Sequence, residues 1–189
     1  MIPAAFDYEV AESAEHAISL LGEKEDAKLL AGGHSLLPAM RIRLARPSAL
    51  IDIGRVSELS YIREDGEHIA IGALTRHQDV RDNVLLQAQC PIVSYTAGLI
   101  GDPQVRHRGT IGGSLAHGDP ASDLPAVILA LDAELVVRGA GGGGLHCVIG
   151  SRKATDGGSQ PAVNHQRLSA HVVAVRAAEQ VHRAGRFFR

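Results

Sequence analysis

The chain is poor in aromatic residues, in cysteine and in excess positive charge. Only 3% of its 189 residues are aromatic and none is tryptophan, so it lacks the stacking surface that single-stranded nucleic acid needs. Its net charge of −2 also argues against non-specific binding to nucleic acid. Cys90 and Cys147 form no C-x-x-C pair, which excludes a disulfide framework and disfavours a zinc or iron–sulfur site on this chain.

Long apolar runs are also missing, since no segment approaches the length of a membrane-spanning helix. Residues 1–7 lack the basic and apolar regions of a signal peptide. We therefore expect a cytoplasmic protein without direct membrane insertion, or one attached to a membrane only through partners. With 45% hydrophobic and 21% charged residues, the chain has the composition of a globular protein of one domain or two small lobes.

Charge is distributed unevenly along the chain. Residues 1–138 carry 12 Lys/Arg and 19 Asp/Glu, a net charge of −7, whereas residues 139–189 carry 7 Lys/Arg and 2 Asp/Glu, a net charge of +5. A glycine run at residues 139–144 marks the change. Beyond it no periodicity appears before about Val172, although Ala170 to Ala184 could form a basic helix. The tail is either a disordered basic segment that binds an acidic partner or an aberrant sequence, such as a frameshift product.

Short strand patterns alternate irregularly with helical patterns in the rest of the chain. This favours an α+β domain of two lobes, about 1–56 and 57–138, over a doubly wound parallel sheet. Ser13 is placed to cap one helix and Pro91 to begin another. The paired glycines at residues 32–33 and 112–113 do not form G-x-G-x-x-G, so these loops lack the Rossmann fingerprint, and the P-loop pattern G-x-x-x-x-G-K-[ST] does not occur. The positions that repeat at helical spacing after Pro91 are Ile92, Tyr95, Thr96 and Leu99.

Two similar glycine motifs stand between a strand pattern and a helical one. Paired glycines let the backbone turn with positive φ and approach an anion closely. Successive N–H groups and a following helix start can then bind a pyrophosphate, and two such motifs could hold its phosphates from opposite sides. The alternative is that each Gly-Gly pair only makes a tight turn. The first motif is Ala31-Gly32-Gly33-His34-Ser35-Leu36, and the second is Thr110-Ile111-Gly112-Gly113-Ser114-Leu115.

Further segments accompany the two glycine motifs. They are Met40-Arg41-Ile42-Arg43-Leu44-Ala45, Leu50-Ile51-Asp52-Ile53, Ile71-Gly72-Ala73-Leu74-Thr75, Pro103-Gln104-Val105-Arg106 and Asp119-Pro120-Ala121-Ser122-Asp123-Leu124-Pro125-Ala126. Together, and in this order, they resemble the FAD-binding domain of the xanthine dehydrogenase and carbon monoxide dehydrogenase flavoproteins, a PCMH-type or vanillyl-alcohol-oxidase-type domain. His34 and the opening Met1-Ile2-Pro3 are most similar to the medium subunits of carbon monoxide dehydrogenases.

The resemblance implies a two-lobed α+β domain with FAD between its lobes, in a subunit of an oxidoreductase. It places the pyrophosphate along the first motif, Asp123 at a polar part of the cofactor and Ile100 near the adenine. Plain core packing is the alternative for Ile100. No catalytic residue and no metal ligand is assigned to this chain. The implied cofactor-binding residues are Ala31, Gly32, Gly33, His34, Ser35, Leu36, Ile100, Thr110, Ile111, Gly112, Gly113, Ser114 and Asp123.

The resemblance also implies partners. A large subunit with the molybdenum cofactor would oxidise the substrate, and a small subunit with [2Fe-2S] clusters would carry electrons to FAD. The flavin would pass them to an external acceptor, so this chain would bind and orient a cofactor that carries the chemistry. The substrate and the acceptor stay open. Two other functions also stay open, namely an inactive, truncated FAD-binding module and a site for another phosphate ligand.

Two features depart from the family pattern. Ser114 stands where the family often has asparagine, and it can still donate and accept hydrogen bonds. After the strand at residues 133–138 the family continues with the rest of the flavin domain and a separate domain, and neither is recognisable in residues 139–189. We therefore expect a flavin domain whose carboxyl-terminal part is truncated, and we favour the interpretation of the tail as aberrant.

Several basic residues lie near the motifs. His34 is expected near the flavin or the pyrophosphate, and the other scattered histidines, including His77, are expected to be structural or exposed because they lack metal-ligand spacing. Arg106, His107 and Arg108 stand just before the second motif. They could balance phosphate charge, face an acidic partner or lie in a solvated loop.

Overall fold

The computed structural model describes residues 2–66, 68–131, 133 and 135–139, and the backbone alone of residues 144–145 and 168–172. Within these residues the chain forms two sheets and a set of helices that pack against them. Most of the predicted tail therefore lies outside the described residues.

The first sheet contains three parallel strands in the order β1-β3-β2. They are β1 (Asp7–Val10), β2 (Lys28–Leu30) and β3 (Ala49–Asp52). Helix α1 (Ala14–Glu23) follows β1, and α2 (Leu36–Arg41) follows β2. Because the strands are parallel, β2 and β3 end at the same edge of the sheet, which is where ligands bind in open parallel sheets. The first glycine motif leaves the sheet at this edge.

Helix α1 covers this sheet with small residues. The hydroxyl oxygen of Ser13 accepts a hydrogen bond from the backbone N–H of His16 at 3.1 Å, which confirms the predicted cap. The small apolar face lets the helix approach the central strand β3 closely. The buried residues of this first core include Ala11, Ala14, Ala17, Leu20, Ile51, Ile53, Val56 and Leu59.

The second sheet has the strand order β4-β5-β8-β6-β7. Strands β4 (Ile62–Asp65) and β5 (His68–Gly72) are antiparallel, and a 3₁₀ turn (Ser57–Leu59) precedes them. Strand β8 runs parallel to both β5 and β6, and β7 is antiparallel to β6. The bounds of the last three strands are β6 (Leu135–Arg138), β7 (Gly144–Leu145) and β8 (Leu168–Val172).

A helical layer packs on the second sheet. Its members are α3 (His77–Asp82), α4 (Val84–Gln89), α5 (Pro91–Leu99), α6 (Pro103–Arg106), α7 (Ile111–His117) and α8 (Asp123–Ala130). Pro91 begins α5 as predicted, because its missing N–H is not needed in the first turn of a helix. The second core includes Ile69, Ile71, Val80, Leu86, Val93, Ala97, Ile111, Leu115, Leu124 and Ile128.

Separate parallel and mixed sheets, each with its own helices, confirm the predicted α+β class. The tail differs from its prediction at one place. Residues 170–172 belong to strand β8, where a basic helix from Ala170 to Ala184 is predicted, and residues 173–184 lie outside the described part. The lobe boundary near residue 56 and the domain boundary at residue 138 stay predictions.

Candidate cofactor site

The two glycine motifs come together at the junction of the two sheets. A Cβ atom added to Gly32 would lie 2.8 Å from the Cα atom of Gly109 and would also collide with the carbonyl of Arg108. A Cβ atom on Gly113 would lie 3.9 Å from the Cβ atom of Ala31. Arg76 and Thr110 form an isolated antiparallel bridge beside this contact. Glycine at position 32 is therefore required for the approach of the first motif to the second.

The first motif presents a run of free backbone donors. Among the described residues, the N–H groups of residues 32–36 have no hydrogen-bond acceptor, and the Ser35 side chain makes no capping bond. Gly33 adopts φ +75°, a left-handed conformation that L side chains rarely adopt. Unsatisfied successive N–H groups around such a turn form a concave anion-binding surface. This confirms the turn expected from the paired glycines and favours a ligand over a turn alone.

The second motif differs from its predicted loop geometry. Its glycines lie in the first turn of α7, which begins at Ile111 with Thr110 as its cap. The N–H of Gly112 donates to the Ala73 carbonyl at 2.9 Å, and that of Gly113 donates to the Thr110 hydroxyl at 3.2 Å. The N–H groups of Ile111 and Ser114 also donate within the protein. The second motif therefore lacks the free amides of the first, and it would contact a cofactor through side chains or through close approach.

A cavity of about 220 Å³ opens between the motifs. This is smaller than typical ligand pockets of roughly 300–1,000 Å³, so it suits one part of a dinucleotide rather than the whole molecule. Only Ala31, Gly32 and Thr110 of the predicted cofactor residues line it. The arginines Arg55 and Arg76 are additions that local sequence patterns did not indicate. The lining residues are Leu30, Ala31, Gly32, Leu37, Asp52, Gly54, Arg55, Leu74, Arg76, Arg108 and Thr110.

A buried histidine supports the segment before the second motif. The backbone N–H of His77 donates to the Gly109 carbonyl at 3.0 Å, and its ring lies against Gly109. Its side chain is buried, and its Nδ1 atom has no hydrogen-bond partner. Burial, and to a smaller extent repulsion from His34, lowers the pKa of His77 from 6.5 to about 4. His77 is therefore neutral near pH 7 and structural, as expected.

The remaining predicted residues lie away from the cavity lining. Ile100 follows α5 and packs partly buried against the second core, which agrees with the core-packing alternative. Asp123 is exposed at the first turn of α8. Its neighbour Ser122 lies 3.1 Å from the Ser114 hydroxyl, oxygen to oxygen, so the start of α8 lies close to the second motif. His34 is exposed and lies near enough to His77 to contribute to the lowered pKa of His77.

The described residues contain no group of three or more His, Cys, Asp and Glu side chains arranged to hold a metal ion. No helix in the described part is long and apolar enough to cross a bilayer. Burial raises the pKa of the Cys90 thiol to about 11, which makes it a poor nucleophile near neutral pH.

Comparison with known proteins identifies the family of this domain and the cofactor that the site binds. The family model of the FAD binding domain in molybdopterin dehydrogenase matches residues 4–147. The chain belongs to this family. Its cofactor is therefore FAD, and the predicted family and cofactor are confirmed. The free amides of residues 32–36 and the glycine approach at Gly32 fit a pyrophosphate-containing cofactor at this junction.

Similar proteins come from several oxidoreductases. The carbon monoxide dehydrogenase medium chain of Hydrogenophaga pseudoflava is 50% identical over 143 residues, which cover 75% of this chain and 50% of that one. Subunit alpha of the 6-hydroxypseudooxynicotine dehydrogenase complex of Paenarthrobacter nicotinovorans is 51% identical over 139 residues, with 73% and 47% covered. A solved structure of the Hydrogenophaga pseudoflava carbon monoxide dehydrogenase matches with a TM-score of 0.73 and 51% identity, again over 75% and 50% of the chains.

The similarity to these relatives supports only part of their function for this chain. The chain spans about half the length of the relatives that it matches. Two relatives whose names indicate different substrates are equally similar to it. The likeness therefore establishes an oxidoreductase family and the fold of its FAD-binding domain, and it does not distinguish between substrates.

Proposed function

We propose that this chain binds FAD as the flavin component of a molybdenum hydroxylase and relays electrons from the [2Fe-2S] clusters of a small subunit to an external acceptor. A large subunit would carry the molybdenum cofactor. The observation that supports the proposal most directly is the run of free N–H groups at residues 32–36, beside a cavity shared with the second motif. The names of the similar proteins, all oxidoreductase subunits or complexes, agree with it.

FAD supplies the electron-transfer chemistry when it is bound, and the protein supplies binding and orientation. The amides of Gly32, Gly33 and His34 would donate to the pyrophosphate, because they have no acceptor among the described residues and Gly33 makes a left-handed turn. Thr110 and Ser114 would add hydroxyl groups from the second motif. Asp123 and Ile100 stay proposed contacts for parts of the cofactor outside the cavity.

The first test is whether the full chain retains FAD. The protein is purified after addition of excess FAD, and its visible absorption spectrum is recorded. Gly33→Asp places a negative charge in the turn that would hold the pyrophosphate, so we expect the dissociation constant for FAD to rise by about tenfold or more, which corresponds to about 1.4 kcal/mol. A folded wild-type protein that retains no flavin at saturating FAD would refute the proposal.

Gly66→Asp is the matched control for this variant. Gly66 also has a positive φ of +64°, so the same charge and a similar backbone strain are introduced away from the site, although a Cβ atom there meets nothing within 4 Å whereas one at Gly33 would press on the Leu37 side chain at 2.9 Å. We expect Gly66→Asp to bind FAD like the wild type. Equal loss in both variants would show that strain, rather than the phosphate turn, explains the effect.

The relay is tested separately on the flavin-loaded chain. A chemically reduced [2Fe-2S] protein is mixed with it without oxygen, and bleaching of the flavin absorbance is followed by stopped flow. Rapid bleaching supports the electron-relay function. A chain that binds FAD but is not reduced would instead act as a cofactor-binding module only.

A further inference from the structure

Three arginines line the cavity between the motifs. Arg55, Arg76 and Arg108 all line it, and among the described residues none of the three forms an ion pair. Like charges around one small cavity repel each other unless an anion lies between them. Elsewhere in the described part, arginines such as Arg81 and Arg138 do pair with carboxylates, at 3.6 and 3.1 Å.

The single carboxylate of the lining is already engaged. One oxygen of Asp52 accepts the hydroxyl of Tyr8 at 2.5 Å, and the other accepts the N–H of Gly54 at 2.7 Å. Asp52 thus fixes the turn that carries Arg55 and leaves the three guanidinium groups for another partner. Three positive charges and one negative charge give the lining a formal charge of +2. A pyrophosphate diester, with one negative charge on each phosphate, matches this value.

The arginines are held by different parts of the fold. Arg55 follows the end of β3. Arg76 stands immediately before α3, and its Nη1 atom donates to the carbonyl of His107. The backbone of Arg108 lies against Gly32, so this side chain starts at the contact between the two motifs. A guanidinium group has five N–H donors, and the hydrogen bond from Arg76 to His107 leaves most of the Arg76 donors available.

Arg106 does not belong to this group. Its Nε atom donates to Gln78 at 3.0 Å and its Nη1 atom to the Ile100 carbonyl at 3.1 Å. The basic cluster before the second motif therefore divides, since Arg106 is hydrogen-bonded to the helical layer whereas Arg108 belongs to the cavity lining.

We propose that Arg55, Arg76 and Arg108 form a phosphate clamp that neutralises the pyrophosphate and makes the site specific for pyrophosphate-bearing ligands over their unphosphorylated counterparts. The inference rests on the proposed binding of FAD at the first motif. Amides of residues 32–36 fix the position of the phosphates, and the arginines supply the compensating charge. The clamp draws on both sides of the junction, so it forms only when the two motifs are in contact.

The clamp is tested with ADP and adenosine, which differ in the pyrophosphate and lack the flavin ring. Binding of each to the full chain is measured by titration calorimetry for the wild type and for Arg55→Gln, Arg76→Gln and Arg108→Gln. We expect each variant to raise the dissociation constant for ADP and for FAD by roughly tenfold, the lower range for a hydrogen bond to a charged group, because these side chains are exposed. Binding of ADP by the wild type should weaken with salt, and less so in the variants.

Arg63→Gln is the control, since Arg63 is an exposed arginine on β4 that stacks on Tyr61, with its Cζ atom 4.8 Å from the ring centroid, and does not line the cavity. Variants that bind ADP as tightly as Arg63→Gln would overturn the clamp while leaving FAD binding intact. Equal affinity of the wild type for ADP and adenosine would overturn it as well. Arginine-dependent binding of ADP without retention of FAD would support the clamp and count against the proposed function.

Because Arg76 also bonds to His107, its variant is paired with circular dichroism and with Arg76→Lys. Lysine keeps the charge, so partial recovery of ADP affinity is expected if charge is what the site needs. The variants of Arg55 and Arg108, whose guanidinium groups make no hydrogen bond within the described residues, decide the matter if Arg76→Gln fails to fold.

Discussion

Replacing Gly112 by alanine tests whether the second motif is built for packing. Gly112 lies in the first turn of α7, so alanine would normally favour the helix there by about 1 kcal/mol. A Cβ atom at this position would, however, lie 2.5 Å from the Cβ atom of Ala73 and 2.7 Å from its Cα and carbonyl oxygen atoms. These distances are shorter than atoms in folded proteins allow, so α7 must move away from the segment after β5.

The size of the effect follows from what must move. Overpacking a close contact costs roughly 1–3 kcal/mol, and the upper part applies here because backbone atoms cannot rotate aside. The movement also lengthens the 2.9 Å hydrogen bond from the Gly112 N–H to Ala73, which contributes about 1 kcal/mol. Subtracting the gain in helix propensity of about 1 kcal/mol leaves a net loss of roughly 2–3 kcal/mol.

Gly22→Ala is the control, because Gly22 lies in α1 and a Cβ atom there meets nothing within 4 Å. We expect it to stabilise the chain by roughly 0.5–1 kcal/mol. Both free energies of unfolding are measured by guanidinium titration with helical circular dichroism as the signal, and the slopes are compared to verify that the transitions are alike. If Gly112→Ala is as stable as Gly22→Ala, the close contact with Ala73 does not exist and the packing argument fails.

Two further predictions concern stability. The pKa of His77 is about 4 in the folded state and 6.5 when the ring is exposed, so the unfolded chain binds more protons than the folded chain as the pH falls. This difference should lower the free energy of unfolding by roughly 3 kcal/mol between pH 6.5 and 4. The difference in unfolding free energy between His77→Gln and the wild type, measured across this range, should show that slope, and a flat difference would contradict it. Ser13→Ala should lose about 1 kcal/mol with its cap bond, whereas an unchanged denaturation midpoint would show that the bond contributes nothing.

The elements that the sequence predicts well are those whose signals are local. Ser13 caps α1 and Pro91 begins α5. Both follow from local chemistry, because the first N–H groups of a helix lack intrahelical partners and a few adjacent residues decide whether they are bonded or missing. The family and its cofactor also follow from sequence, since the ordered motifs of residues 1–138 are specific. Strand β4 was not anticipated, because only its pairing with β5 distinguishes Ile62–Asp65 from a polar loop.

Helix α5 shows why a pattern can identify an element and miss its orientation. Ile92, Tyr95 and Leu99 repeat at helical spacing, yet they are 47%, 69% and 57% exposed. The side chains that face the core are smaller, among them Val93 and Ala97. The neighbouring helices approach closely on that side, so size rather than hydrophobicity decides which face is buried. The sequence of α5 alone does not show how closely the neighbouring helices approach each of its faces.

The two glycine motifs illustrate the same limit at the candidate site. In the sequence they are nearly alike, but Gly33 makes a left-handed turn with free amides whereas Gly112 lets a helix contact Ala73. One local signal separates them, because Thr110 stands three residues before Gly113 and is therefore positioned to cap a helix that includes both glycines. A capping threonine two residues before the Gly-Gly pair thus places Gly112 and Gly113 inside a helix, whereas the matching position before Gly32 is Leu30, which cannot cap a helix.

The arginines of the cavity could not be grouped from sequence, because Arg55, Arg76 and Arg108 belong to separate segments with no common spacing. Their proximity depends on the approach of Gly32 to Arg108 and on the bridge between Arg76 and Thr110. The first contact joins the motif that follows β2 to the segment before α7, the second joins the segment after β5 to the start of α7, and neither lies in the core of either sheet. The charge of the cavity is therefore a property of the junction. Any change that separates the two motifs would weaken phosphate binding before it unfolds either sheet, since each sheet keeps its own buried core.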